Sequence, residues 1–377
     1  MTLHSAIAEI APPEWDACAG ADNPFVSHAF LSAIEDSGST GPRTGWVPRH
    51  AVLRDAAGQV VACAPAYLKG HSWGEYVFDQ GWARALEGAG GQYYPKWQVC
   101  VPFSPVPGPR LLIRPGSGVS AAGFAAALAE TTGRIGVSSC HVTFCTGAEW
   151  AAFAEAGWLL REGVQFHWHN AGYADFDAFL GALASRKRKQ IRRERREAAE
   201  SGFTFRTVPG SAATPALWAA FHRFYLATVD KRWGSAYLAP RFWPLLGERL
   251  GDRVVLMLAE RDGEPVAGAL NLRGADALYG RNWGAVVDAP FLHFELCYYR
   301  AIEHAIAHGI ARVEAGAQGE HKIARGYVPV PTYSAHWLLH PGLKRAVAEF
   351  LSRERPAMAE EREALAAASP YRSEGGG

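Results

Sequence analysis

No run of eighteen consecutive apolar residues occurs in the 377-residue chain, so no segment reads as a bilayer-spanning helix. The opening MTLHSAIAEI has neither a basic leader nor an apolar stretch, and no secretory signal is expected. Cysteine is sparse: Cys18, Cys63, Cys100, Cys140, Cys145 and Cys297 stand without CxxC or any zinc-like spacing. Reduced, mostly buried thiols in a cytoplasmic setting fit that pattern. There is no P-loop, no GxGxxG, no HExxH and no GxSxG elbow. Nothing therefore points to ATP hydrolysis, a nicotinamide cofactor or a serine hydrolase, and no tightly bound cofactor is expected. Net charge is nearly lacking too, at 38 basic against 37 acidic residues. With 20% charged and 49% hydrophobic residues, the chain reads as a folded globular protein long enough for two domains.

The neutral total hides a segregated charge. Residues 186–196 read RKRKQIRRERR, with eight basic residues and one acid, which leaves 30 basic and 36 acidic residues elsewhere. Phe176, Leu180, Leu183, Ile191 and Ala198 recur at helical spacing and predict one helix with a buried stripe. Arg188, Arg192 and Arg196 form an outward row flanked by Lys189 and Arg193, while Lys187 falls within the apolar stripe. Like charges at i,i+4 repel, so this face is either simply solvated or built to meet a polyanion such as tRNA, a nucleotide or a coenzyme.

An internal repeat suggests the architecture. Residues 51–82 and 254–284 each show an apolar strand, a charged Gly-containing turn, a second strand with small residues, and a third strand ending near a Trp/Gly pair. The second meander is followed by a helix (292–308) and a strand (310–315), the first by a Pro-rich stretch, a helix (121–132) and a strand (139–145). The expectation is an α/β chain with mixed sheets, made of two like units over 1–170 and 171–341. Residues 342–377 would add a packing helix and a frayed end. In YYPKWQVCVPFSPVPGPR, Tyr93, Tyr94 and Trp97 are candidates to stack on a ligand, or else core residues.

Chemistry-bearing residues concentrate late in the chain. In PFLHFELCYYRAIEHAIAHG, Glu295 shares a face with Leu292, Tyr299, Ile302 and Ile306, so its carboxylate must be paired, hydrogen-bonded or protonated. Either it is ion-paired to a residue such as Arg281 or Lys322, or it is a site carboxylate with a shifted pKa. The strand ARVEAG then runs into a loop holding Glu314, Glu320, His321, Lys322 and Arg325. The carboxyl end of a strand is where open α/β sheets place their sites. Lys322 and Arg325 suit anion recognition, and Glu320 with His321 could move a proton from an attacking amine. In VQFHWHN, alternation puts Gln165, His167 and His169 on one face. Without a third ligand at a recognisable spacing, a metal is not expected there, and hydrogen bonding to a substrate is the better reading.

The blocks ALASRKRKQIRRERREAAESGFTF and PFLHFELCYYRAIEHAIAHGIARVEAGAQGEHKIARGY resemble the FemAB-like branch of the GCN5-related N-acyltransferase (GNAT) superfamily, within the group termed peptidoglycan biosynthesis/recognition. NPFVSHAFLSAIEDSG, YYPKWQVCVPFSPVPGPRLL and GVQFHWHN extend the resemblance over almost the whole chain. It implies tandem GNAT-like domains and transfer of an aminoacyl group from aminoacyl-tRNA to an amine of a peptidoglycan precursor. The Lys322, Arg325, Gly326 stretch is similar to the family's FKRGFG segment at the acceptor cleft, with His321 where the family has Phe. A glycine-rich coenzyme A loop is not recognisable between Trp283 and Leu292, and no inserted coiled coil is apparent. On this reading Glu295, or Glu320 with His321, carries protons. Lys322, Arg325 and Arg281 hold an anionic substrate, while Tyr93, Tyr94, His167, His169 and Trp283 line the pocket. Lys187, Arg188, Lys189, Arg192, Arg193 and Arg196 engage the donor. The alternatives are an inactive relative that binds tRNA or a cell-wall precursor, and a conventional acyl-CoA-dependent transferase.

Overall fold

The structure is a computed structural model and describes residues 1–231, 234–316 and 319–372, the side chain of Glu320 excepted. Two compact units divide the chain: Met1–Val164 with Pro331–Glu360, and Gln165–Val330 with Glu361–Gly377. The boundaries expected near 170 and 341 thus give way to a discontinuous division. Its physical reason is a strand partner, since Ser139–Cys145 pairs antiparallel with residues 333–338 late in the chain.

In the first unit, Thr2–His4, His50–Arg54, Val60–Ala64 and Leu112–Ile113 form an antiparallel sheet. A second sheet carries Trp46–Pro48, Ala66–Lys69, Lys96–Val99, Ser139–Cys145 and the end of Val328–Leu338, in that order. Helix Ala121–Arg134 lays Phe124 and Leu128 against Trp97, Cys140 and Val142 to make the core. The three-strand meander expected over 51–82 is not formed. Pro65 lacks an N–H, so the ladder breaks there and the chain leaves the first sheet at Ala64 and enters the second at Ala66. Residues 70–79 then form a loop rather than the expected third strand. Trp97, a candidate for ligand stacking, is a core residue with no exposed surface.

In the second unit the expected meander is present as Val254–Arg261, Glu264–Arg273 and Ala277–Ala285, antiparallel throughout. Thr204–Pro209 extends one side, and Arg312–Glu314 pairs parallel on the other. His167 to His169, at the end of Leu159–His169, complete the sheet against Arg312–Glu314. VVLMLA at 254–259 is buried at every position, as befits a strand covered on both faces. Helix Pro215–Lys231 covers the sheet so closely that a Cβ at Gly284 would overlap the Phe224 carbonyl. Gly284→Ala is therefore expected to cost about 1–3 kcal/mol, read from thermal melting.

The single helix expected over 176–198 is two helices, Phe176–Ala182 and Ser185–Glu200. Leu183 is extended (φ −85°, ψ 154°) and bridges to Tyr371. Ala184 N–H donates to Pro370 and Arg372 N–H to Ala182. The segment expected to fray is thus docked as far as Arg372, and the Tyr371 hydroxyl donates to the Gly326 carbonyl at 2.8 Å.

Candidate functional site

The second unit's site begins where its parallel strand pair ends. Ala277–Ala285 and Arg312–Glu314 stay in register through Tyr279 opposite Glu314. Just beyond, the register with Glu264–Arg273 slips, and Arg281 becomes the extra residue of a bulge. Gly280 keeps this corner open, because a Cβ there would sit 3.3 Å from the Glu314 carbonyl oxygen.

Glu314 is 3% exposed. Its Oε1 accepts from Arg312 Nε at 2.9 Å, whereas Oε2 has no hydrogen-bond partner and lies 3.8 Å from His167 Nε2. Burial outweighs the attraction of Arg312 and pushes the carboxyl up to about 7. His167, buried and facing the charges of Arg312, His169 and Lys322, is pushed down to about 3 and is neutral at physiological pH. His169, at the strand's exposed end, has its ring 6.4 Å from that of His167.

Lys322 comes from a short helical turn, Glu320–Arg325, bounded by Gly319 and Gly326 at positive φ. A Cβ on Gly326 would also meet the Phe179 ring at 2.7 Å, so glycine is required there for conformation and for space. The Lys322 ammonium is buried, donates to the Gly316 carbonyl at 2.9 Å, and has no carboxylate partner among the described residues. Burial pulls it down to about 8. The lysine is thus placed to act as a cation in a dry setting and can release its proton near neutrality.

Arg325 is engaged otherwise. Its Nη2 donates to both Glu194 oxygens at 3.0 and 2.9 Å, its Nη1 to the His321 carbonyl at 2.7 Å, and its guanidinium stacks 3.5 Å from the Phe294 ring centroid. Glu194 also accepts from the Tyr299 hydroxyl. This buried pair ties the 320–325 turn to the basic helix. His321 meets the Tyr298 hydroxyl at 2.9 Å beside the rings of Phe294 and His293, and burial together with Arg325 and Lys322 lowers its pKa. The side chain of Glu320 lies outside the described residues.

Glu295 sits where one helix changes pitch. Leu292–Phe294 is α-helical, Glu295–Tyr299 is a π-turn, and Arg300–Ala307 is α-helical again. The wider turn lets Glu295, Leu296, Tyr298 and Tyr299 all face inward. The Glu295 carboxylate pairs with Arg195, at 3.1 and 3.0 Å, and with Arg300 at 3.1 Å, rather than with Arg281 or Lys322. Arg195 also reaches Glu303 and stacks over Phe176, and Arg300 stacks over Phe205. Beside this knot opens a cleft of about 410 Å³ whose cations are Arg192, Arg195, Arg196 and Arg300. Both Glu295 oxygens are thus engaged by guanidiniums, whereas Glu314 keeps one oxygen without a hydrogen bond.

On the basic helix, Lys189, Arg192, Arg193 and Arg196 are exposed, and Lys187 and Arg188 are half-buried. Arg192 pairs with Asp177, Arg193 with Glu197 and Arg196 with Glu200. Lys187, Arg188 and Lys189 have no acidic partner among the described residues. Arg281 projects from the bulge, close enough to weigh on Glu314. The Trp283 ring centroid lies 5.2 Å from that of His293. Tyr93 and Tyr94 belong to the first unit, where Tyr93 is fully buried and donates to Asp79 at 2.7 Å. Sequence reasoning overlooked Glu194 and Arg195 and gave Glu314 no role. The signal for Glu194 was present: the lone acid of RKRKQIRRERR lies on the Ile191/Ala198 stripe.

Compared with known proteins, the chain matches the FemAB-like family, described as peptidoglycan biosynthesis/recognition, over residues 6–373. No curated protein sequence matches it. Similar solved structures include the C-terminal domain of a chain named as a lysylphosphatidylglycerol synthetase from Agrobacterium fabrum. That domain is 12% identical with a TM-score of 0.57, over 92% of this chain and 96% of that one. FemX is 10% identical with a TM-score of 0.56, over 90% and 98%. L-PGS from Bacillus licheniformis is 10% identical with a TM-score of 0.53, over 88% and 98%. These likenesses concern the fold, and the expected pair of GNAT-like units agrees with them. Among the described residues no helix is long and apolar enough to cross a membrane, and no cluster of metal-ligating side chains occurs. The chain belongs to the FemAB-like family of peptidoglycan biosynthesis/recognition.

Proposed function

We propose that this chain transfers an aminoacyl or acyl group to a primary amine on a small molecule or cell-wall precursor, with Glu314 receiving the amine's proton. The observation that carries this reading is the buried Glu314 carboxyl, held near 7 with Oε2 uncommitted, at the carboxyl end of a parallel strand. Transfer needs a neutral amine, a base poised near working pH, and positive charge where the carbonyl oxygen becomes an oxyanion. Glu314 fits the second need. Lys322, whose charge also bears on His167, fits the third. Neutral His167 can hydrogen-bond the acceptor. Glu295, Arg325 and Glu194 act as a frame, and His321 beside Tyr298 lines the aromatic side. Lys322→Ala is expected to lower kcat by about 10²-fold in an acyl-transfer assay, and unchanged turnover would remove it from the site.

The donor follows from the charge map. The basic helix, with Lys187, Arg188 and Lys189 free of acidic partners among the described residues, favours a polyanion, so aminoacyl-tRNA is the proposed donor, with acyl-CoA as the second reading. Titration of tRNA binding against salt tests this. Affinity is expected to fall by at least about tenfold between about 50 and 200 mM salt, and substituting Arg188 and Lys189 with Ala is expected to reduce the slope. A flat response would assign the helix to solvation.

A further inference from the structure

One sheet face of the first unit is polar and yet buried. Alternation puts Leu68, Trp97, Cys140 and Val142 against the core, and turns Tyr67 and Lys69, Lys96 and Gln98, His141 and Thr143 to the other side. Each of these six polar residues is at most 1% exposed. Lys69 and Lys96 stand directly opposite each other in antiparallel register, an arrangement that like charges disfavour. What neutralises them is the loop 70–79. Glu75 reaches Lys96 at 2.6 Å and Lys69 at 3.6 Å, and Asp79 also pairs with Lys96. Lys69 is further held over the Trp46 ring, 3.5 Å from its centroid.

The fit is incomplete. Glu75 Oε1, Asp79 Oδ1, the Tyr67 hydroxyl and Gln98 Oε1 are buried without a hydrogen bond. The loop is also inside out: its carboxylates point inward while Trp73 and Phe78 are 63% and 64% exposed. Tyr76 is held at φ 61°, a conformation unusual for a bulky side chain. Buried ion pairs seldom stabilise more than apolar residues of the same volume, so stability alone gives no reason for such a face.

We propose that this face is the floor of a second binding site, for a compact oxyanion carrying two negative charges, and that Glu75 and Asp79 occupy it as internal stand-ins. The entering dianion takes over Lys69 and Lys96, and accepts from the Tyr67 hydroxyl. The displaced carboxylates return to water, and the aromatics of the loop become available to close over the ligand. Nothing in this proposal depends on Glu314 or on acyl transfer.

Calorimetry and hydrogen exchange on the full chain test it, with inorganic phosphate, pyrophosphate and succinate as probes up to about 10 mM. At least one probe is expected to bind and to raise exchange across 70–79 several-fold, and the one that binds distinguishes phosphate from carboxylate chemistry. Glu75→Gln/Asp79→Asn is expected to tighten binding by about tenfold, because the internal competitor is weakened. Lys96→Met is expected to abolish binding, and Glu314→Gln to leave it unchanged. Should the double variant fail to fold, Glu75→Gln alone gives the same readout. No binding of any probe to the wild-type chain and to a folded Gln variant would overturn the proposal.

Discussion

Glu314→Gln is expected to lower kcat by about 10²–10⁴-fold and, at the same time, to make the protein more stable above neutral pH. Both effects come from one displaced titration. Burial raises the native carboxyl from an ordinary 4.5 to about 7. Below about pH 4.5 both native and unfolded states hold the proton. Between 4.5 and 7 the unfolded chain has released it and the native chain has not, so stability falls as pH rises through that window. The loss amounts to about 3 kcal/mol by pH 8. Gln cannot titrate and escapes that loss, while Arg312 keeps Asp276 as a partner. Urea unfolding at pH 4 and pH 8 is expected to show variant and wild type nearly equal at the lower pH and separated at the higher. The wild-type kcat/KM should rise with pH through about 7, and the variant should lack that limb. A variant within about twofold of wild-type turnover would exclude Glu314 as the base, whatever its effect on stability.

Arg325→Met is expected to destabilise the second unit by about 3–5 kcal/mol, since it leaves Glu194 as a buried charge without a cation, held only by the Tyr299 hydroxyl and the Gln190 amide. The companion double variant, Glu194→Leu/Arg325→Met, removes both charges and is expected to recover most of that loss. Equilibrium denaturation of the single and double variants gives the coupling directly. A cost below about 1 kcal/mol for Arg325→Met would mean that the pair is not what anchors the 320–325 turn to the basic helix. On the proposed reading, Arg325 matters to the site through the position it gives Lys322, and a change there is expected to act by loosening the turn.

The strand grammar of the second unit could be read from residues alone, because 254–285 falls into three largely apolar runs separated by short Gly-containing turns and stays within one sheet. The first unit resisted the same reading. A single proline at position 65 moves the chain between sheets, and a strand from the far end of the sequence completes the second of them. Helix periodicity found the buried stripe through Ile191 and Ala198 but ran through Leu183, where the docked Pro370 to Arg372 segment, rather than local propensity, decides the backbone. Burial of Glu295 could be foreseen from its spacing with Leu292 and Tyr299. Its partners could not, since Arg195 is one of eight basic residues in a run and nothing local singles it out. Glu314 was visible only as an acid at a strand end. Its distinction depends on His167 and Arg312 closing over it, which is tertiary information.

The discontinuous first unit also sets a schedule for synthesis. When residue 164 leaves the ribosome, Ser139–Cys145 has Lys96–Val99 on one side, but its other neighbour has not been made. That edge, with Cys140 and Val142 along it, stays open while some 170 further residues are translated. An open apolar edge strand is an invitation to pair with another chain. A fragment ending near residue 170 should therefore aggregate, and the nascent chain has reason to engage a holding chaperone until residues 331–338 arrive to close the sheet.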